Sequence, residues 1–254
     1  MQLFFRQVGT GQPLIILHGL FGSCDNWLTI SKTIADQGFA VYLLDQRNHG
    51  RSPQNDDFNY GLMAADLQGF IAEHQLTKPI LVGHSMGGKT VMQYAMNYPN
   101  TFHKLVVVDM APKFYPVHHT AILEGLAAVP LATLASRQAV DAILAQYEPN
   151  VGVRQFLLKN LYRTDAGAFG WRINLPAITT HIELIGHALQ NQRIVSEPTL
   201  FMRGQNSDYV LDTDIPDILK LFPKATIDTI AGAGHWVQAE QPEGFVTSLM
   251  RFLQ

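Results

Sequence analysis

Between Pro79 and Tyr98 an apolar stretch of strand type, Pro79-Ile80-Leu81-Val82, runs into Gly83-His84-Ser85-Met86-Gly87-Gly88 and then into a helix-like segment from Lys89. Gly83 and Gly87 stand two residues either side of Ser85, where side chains would collide with neighbouring backbone on a tight strand-to-helix turn. Such a turn holds a serine hydroxyl clear of the sheet. The helix start behind it aims backbone N–H groups and a dipole at the same spot. In this setting Ser85 is a candidate nucleophile, and a base, an acid and an oxyanion site must be sought elsewhere in the chain.

The same alternation recurs along the sequence and predicts an α/β fold: a mostly parallel central sheet with helices on both faces. Strands are expected at Leu3–Val8 (an edge), Leu14–Leu17, Ala40–Leu44, Pro79–Val82, Lys104–Val108, Thr199–Met202 and Ala225–Ile230. Helices are expected near Asp25–Gln37, Tyr60–Gln75, Lys89–Tyr98, Ile215–Phe222 and Pro242–Leu253. Between residues 111 and 193 the alternation stops. That stretch reads as helices alone, roughly Thr120–Val129, Arg137–Gln146, Val153–Asn160 and Ile178–Gln190. It therefore predicts an all-helical cap over a core formed by residues 1–110 and 194–254, near the carboxyl ends of the strands, where such sheets bind ligands.

A chain of 254 residues, 47% hydrophobic, can bury one large core. A net charge of −3 offers no footprint for nucleic acid or anionic membrane. Cys24 is the sole cysteine, and neither a leader segment nor a spanning run of apolar residues is read, so a cytoplasmic protein is expected. Neither a cofactor nor a metal is expected: His118 and His119 are adjacent, His181 and His187 six apart, and neither spacing suits a ligand set on a helix.

A serine hydroxyl needs a general base. His235 follows the last strand in Ile230-Ala231-Gly232-Ala233-Gly234-His235-Trp236, where small residues let a loop carry the imidazole over the sheet edge. His18 and His49, in glycine-containing loops, suit backbone hydrogen bonding, and His84 points elsewhere on the turn. The acid must hold the imidazole in the tautomer that leaves its second nitrogen open to serine. A common place for it, three residues after a glycine ending the penultimate strand, is filled here by Ser207. Asp208 lies one residue further, and Asp109 closes the strand after the Ser85 turn. Asp109 is the favoured acid, with Asp208 the alternative; Ser207 is then an auxiliary hydroxyl near the histidine or a cap of its own loop. For the oxyanion, the N–H of Met86 supplies one donor. A second comes from His18-Gly19-Leu20-Phe21-Gly22, at Leu20 with Phe21 as the alternative. Cys24 reads as a small packed residue.

With these segments assembled, the chain resembles the α/β-hydrolase superfamily along nearly its whole length, and within it the bacterial YbfF-type esterases. The stretches that carry the resemblance are His18-Gly19-Leu20-Phe21-Gly22-Ser23, Asp45-Gln46-Arg47-Asn48-His49-Gly50-Arg51-Ser52, Gly83 to Lys89 and Ala231 to Val237. The resemblance implies a capped hydrolase of carboxylic esters or acyl-CoA thioesters, a small-molecule acyl substrate, an aspartate placed like Asp109 and a serine placed like Ser207. Two other readings share the fold. One is carbon–carbon lyase or hydrolase chemistry on an anionic enolic substrate, as in menaquinone-precursor synthesis. It would need a cationic clamp, for which Lys89, Arg47, Arg154 and Arg172 are candidates, although solvated surface roles are expected for each. The other is a ligand-binding receptor that keeps the triad.

Overall fold

The computed structural model describes residues 1–254. The core elements follow in order as β1 (Phe5–Val8), β2 (Gln12–Leu17), α1 (Leu28–Ala35), β3 (Phe39–Leu44), α2 (Tyr60–Glu73), β4 (Ile80–His84), α3 (Met86–Asn97) and β5 (Leu105–Val108). Next come α4 (Thr120–Ala128), α5 (Arg137–Leu144), α6 (Val151–Leu157), β6 (Leu161–Arg163), β7 (Phe169–Trp171) and α7 (Leu175–Gly186). The chain then returns to the sheet with β8 (Thr199–Gly204), α8 (Ile215–Leu221), β9 (Ala225–Ile230), α9 (Val237–Glu240) and α10 (Pro242–Leu253). No helix is long and apolar enough to cross a membrane.

Seven strands form one sheet in the order β1-β3-β2-β4-β5-β8-β9. Every pairing in it is parallel except that of β1 with β3. Both faces are buried, which is why the strands read as continuous apolar runs. Alternate residues separate the two layers. Ile15, Leu17, Leu81 and Val107 pack with Phe70, Met92 and the segment 111–193, whereas Leu14, Ile16, Val82 and Val106 pack with Trp27, Ile34, Phe245 and Leu249.

One expectation needs correction. The segment between β5 and β8 is not all helical: β6 and β7 form an antiparallel hairpin, pairing Leu161 with Trp171 and Arg163 with Phe169. Each strand is three residues long and partly exposed throughout, too short to show a period of two.

Parallel register brings the carboxyl ends of β2, β4, β5, β8 and β9 to one edge. Leu17 pairs with Gly83, His84 with Val108, and Gly204 with Ile230. The residues that follow those strands therefore share one rim, and the site is built there.

Candidate active site

Ser85 occupies the turn between β4 and α3 with φ 53° and ψ −117°, a conformation costing about 1–3 kcal/mol for a residue with a side chain. The glycines around it are obligatory on steric grounds. A Cβ on Gly83 would come within 2.1 Å of the Gly87 carbonyl oxygen, and one on Gly87 within 2.4 Å of the Leu17 carbonyl oxygen. The turn thus packs against the end of β2, and the loop leaving β2 passes over the serine: a Cβ on Gly19 would lie 3.1 Å from Ser85 Cβ.

Asp109 follows β5 with φ 48° and is fully buried. Its backbone N–H donates to Met202 O at 2.7 Å, which fixes the turn against β8. Three donors converge on its carboxylate. His235 Nδ1 donates to Oδ2 at 2.7 Å, Gly204 N donates to Oδ1 at 3.1 Å, and the Ser207 hydroxyl donates to Oδ2. A carboxylate only accepts, so the contact defines the imidazole as the Nδ1–H tautomer. His235 Nε2 has no partner within the chain, and His235 lines an open cavity together with Ser85. The Ser85 hydroxyl is likewise unpaired, as is common before substrate draws such groups together.

Asp208, the alternative acid, is exposed and takes no part in this cluster. The Ser207 Oγ donates to Asp109 and accepts from Tyr209 N at 3.3 Å. Its partner is thus Asp109 rather than the histidine.

The loop from His18 to Gly22, which passes over Ser85, is organised by two buried neutral histidines. His18 Nδ1 donates to Gly19 O at 2.8 Å while its Nε2 accepts from Gln46 N at 3.0 Å. His49 Nδ1 donates to Arg47 O at 2.9 Å while its Nε2 accepts from Phe21 N at 3.2 Å. Burial lowers their pKa to about 4 and about 3, with the neighbouring His18 adding to the effect on His49. The His49 contact thus engages the Phe21 N–H. Gly19 O is held by His18 and by Gly22 N at 3.0 Å. In a trans peptide the Leu20 N–H points the opposite way, free of both partners. Met86 is the first residue of α3, so its N–H has no partner inside the helix. Leu20, Met86 and Ser85 line a common pocket.

Several neighbours carry no mark in the sequence. His84 Nε2 donates to the His235 carbonyl at 2.8 Å, tying the loop that carries His235 to the Ser85 turn; burial holds its pKa near 3. Tyr209 stacks on the His235 ring, with centroids 3.7 Å apart and planes inclined by 19°. Asn160, a buried residue between α6 and β6, donates through Nδ2 to Phe21 O at 2.7 Å, so the segment between β5 and β8 is tied to the loop from His18 to Gly22. The period and spacing of the chain reveal none of these, because the partners lie 26 to 151 residues apart and meet only in the tertiary structure.

The expected solvated roles of the basic residues also need correction. Lys89 is fully buried, Arg47 makes a buried two-pronged pair with Asp66 at 2.6 and 3.0 Å, and Arg154 is buried against Asp141 and the carbonyls of Glu148 and Pro149. None of these three, nor Arg172, lines either cavity at Ser85. Cys24 is buried, and burial followed by the Asp45 carboxylate pushes its thiol pKa far up, which disfavours the thiolate.

Comparison with known proteins agrees with this architecture. Residues 12–242 match the family model described as alpha/beta hydrolase fold. The chain is 38% identical to the sn-1-specific diacylglycerol lipase ABHD11 of Danio rerio, over 98% of this chain and 81% of that protein. It is 36% identical to the Esterase YbfF of Escherichia coli, over 95% of this chain and 92% of that protein. A solved structure named "Marine microorganism esterase" superposes with a TM-score of 0.96 at 43% identity, covering 99% of both chains.

Proposed function

This chain belongs to the α/β-hydrolase family, and from that premise we propose that Ser85, His235 and Asp109 form the triad with which it hydrolyses carboxylic esters. The observation that carries the reading is the buried Asp109–His235 contact of 2.7 Å beside a strained serine turn on the same cavity. His235 Nε2 takes the Ser85 proton as Oγ bonds to the substrate carbonyl carbon. The N–H groups of Leu20 and Met86 hold the resulting oxyanion. As the carbon–oxygen bond to the alcohol breaks, His235 returns the proton to the departing oxygen. Water then repeats the sequence on the seryl ester, releasing the acid and restoring Ser85. Asp109 and the stacked Tyr209 face stabilise the imidazolium formed in each half. Ser207 steadies Asp109.

Acyl-CoA thioesters would pass through the same steps with sulfur as the leaving atom. A cytoplasmic place of work, supported by a single buried cysteine, goes with this reading. Lyase chemistry on an anionic substrate is less well supported, because the cations proposed to clamp it do not reach the cavities.

A panel of p-nitrophenyl esters and acyl-CoAs tests the proposal. Multiple turnovers are expected for the native chain, and a loss of at least ~10⁴-fold in kcat for Ser85→Ala with its unfolding midpoint retained. Undiminished hydrolysis in that variant would refute the nucleophile. A single stoichiometric event without turnover would favour the receptor reading.

A further inference from the structure

Two cavities of very different size meet at Ser85. The larger, about 600 Å³, is lined by His235 and Trp236 and, from α6, by Val153 and Phe156. The smaller, about 40 Å³, shares Ser85, Leu20, His118, His119 and Tyr209 with it, includes Met86, and lacks His235. The proposed chemistry distinguishes them. The imidazole must hand its proton to the leaving oxygen, so the alcohol portion lies on the His235 side, in the large cavity. The acyl portion takes the remaining space beside Ser85, between the two oxyanion donors. Measured in the same way, the small pocket has less than a tenth of the room of the large one, so it fits the shorter portion of an ester.

Its walls are apolar, formed by Met110, Tyr115, Ile182 and Ile185. They are also pinned. Lys89 Nζ, fully buried in α3, donates to Gly186 O at 3.1 Å and to His187 O at 2.6 Å. Tyr60 Oη donates to Ile185 O at 2.8 Å, and Tyr115 N donates to Gly186 O at 2.8 Å. Four hydrogen bonds thus tie three consecutive carbonyls at the end of α7, three of them donated by side chains of α2 and α3. A wall held this way yields to a longer acyl chain only by breaking buried hydrogen bonds.

We propose that the chain is specific for short acyl groups carried on a bulky alcohol or thiol. This rests on the assignment of Ser85 and His235 above. Each surplus methylene forced against a fitted apolar wall costs of the order of tenfold in kcat/KM.

The test uses p-nitrophenyl acetate, propionate, butyrate and octanoate, then alkyl acetates from ethyl to dodecyl. Expected is a fall of at least roughly tenfold from acetate to octanoate, with little or no penalty for lengthening the alcohol. Ile185→Ala, or Ile182→Ala if the first variant folds poorly, should raise the octanoate-to-acetate ratio at least roughly fivefold. Octanoate cleaved as fast as acetate by the native chain would overturn the proposal, as would wall variants that leave the ratio unmoved. Absence of turnover on every ester would instead remove the serine-hydrolase reading beneath it, which the native chain's acetate rate reports separately.

Discussion

Replacing Asp109 by Asn tests the site at its least forgiving point. The carboxylate is fully buried and accepts from three donors: Gly204 N at 3.1 Å on Oδ1, and His235 Nδ1 at 2.7 Å with the Ser207 hydroxyl on Oδ2. A carboxamide has only one accepting end. If its oxygen faces His235, its NH₂ meets the Gly204 N–H, and buried donors are left unpaired at about 1–3 kcal/mol each. If its NH₂ faces His235, the imidazole must accept at Nδ1 and carry its proton on Nε2. It then cannot take a proton from Ser85. The wrong tautomer in such a triad costs about 10⁴-fold in kcat, or roughly 5 kcal/mol of transition-state stabilisation. The assay is kcat for p-nitrophenyl acetate near neutral pH, with a urea midpoint to show that the variant is folded. Asp208→Asn is the matched control, because that side chain is exposed; it should stay within about twofold. An Asp109→Asn enzyme within about tenfold of native, or an Asp208→Asn enzyme that collapses, would show that the tautomer argument is wrong.

Asn160→Ala removes the donor to Phe21 O and leaves that buried carbonyl unpaired. As the loop relaxes, the Leu20 N–H loses its aim, and kcat should fall ~10- to 100-fold with KM within about threefold. A kcat within twofold of native would count against the coupling. Acid should also destabilise the fold through His18, His49 and His84, whose pKa values are lowered by burial from 6.5 to about 4, 3 and 3. The unfolded chain takes up these protons near pH 6.5 and the native chain does not until about pH 3–4. Stability is therefore full above pH 6.5 and falls as pH drops towards 4, with a slope approaching ~4 kcal/mol per pH unit if all three contribute. A urea midpoint unchanged from pH 7 to pH 5 would contradict it.

The parts legible in the linear chain are those governed by local sterics and period. Buried parallel strands must be apolar on both faces, so β2 to β5 and β8 stand out without any knowledge of their neighbours. The turn at Ser85 forbids side chains at Gly83 and Gly87 by contacts of 2.1 and 2.4 Å, and that prohibition is written as Gly-x-Ser-x-Gly. His235 is recognisable because it follows the last strand, and Asp109 because it follows the strand beside the nucleophile. The choice between Asp109 and Asp208 is of another kind. It depends on which carboxylate meets a histidine 126 residues away, and hence on the placing of β5 between β4 and β8. Leu20 is the expected donor with Phe21 as the alternative, and only the tertiary structure separates them, where His49, 28 residues on, takes the Phe21 N–H. Lys89 carries the pattern of a surface lysine, yet it is buried beneath the end of α7 where backbone carbonyls satisfy it. Three-residue strands such as β6 and β7 leave no period to read. Periodicity and steric exclusion act between near neighbours and are encoded residue by residue. The pairing of each donor with its acceptor is settled only when strand order and register bring distant segments to the same rim.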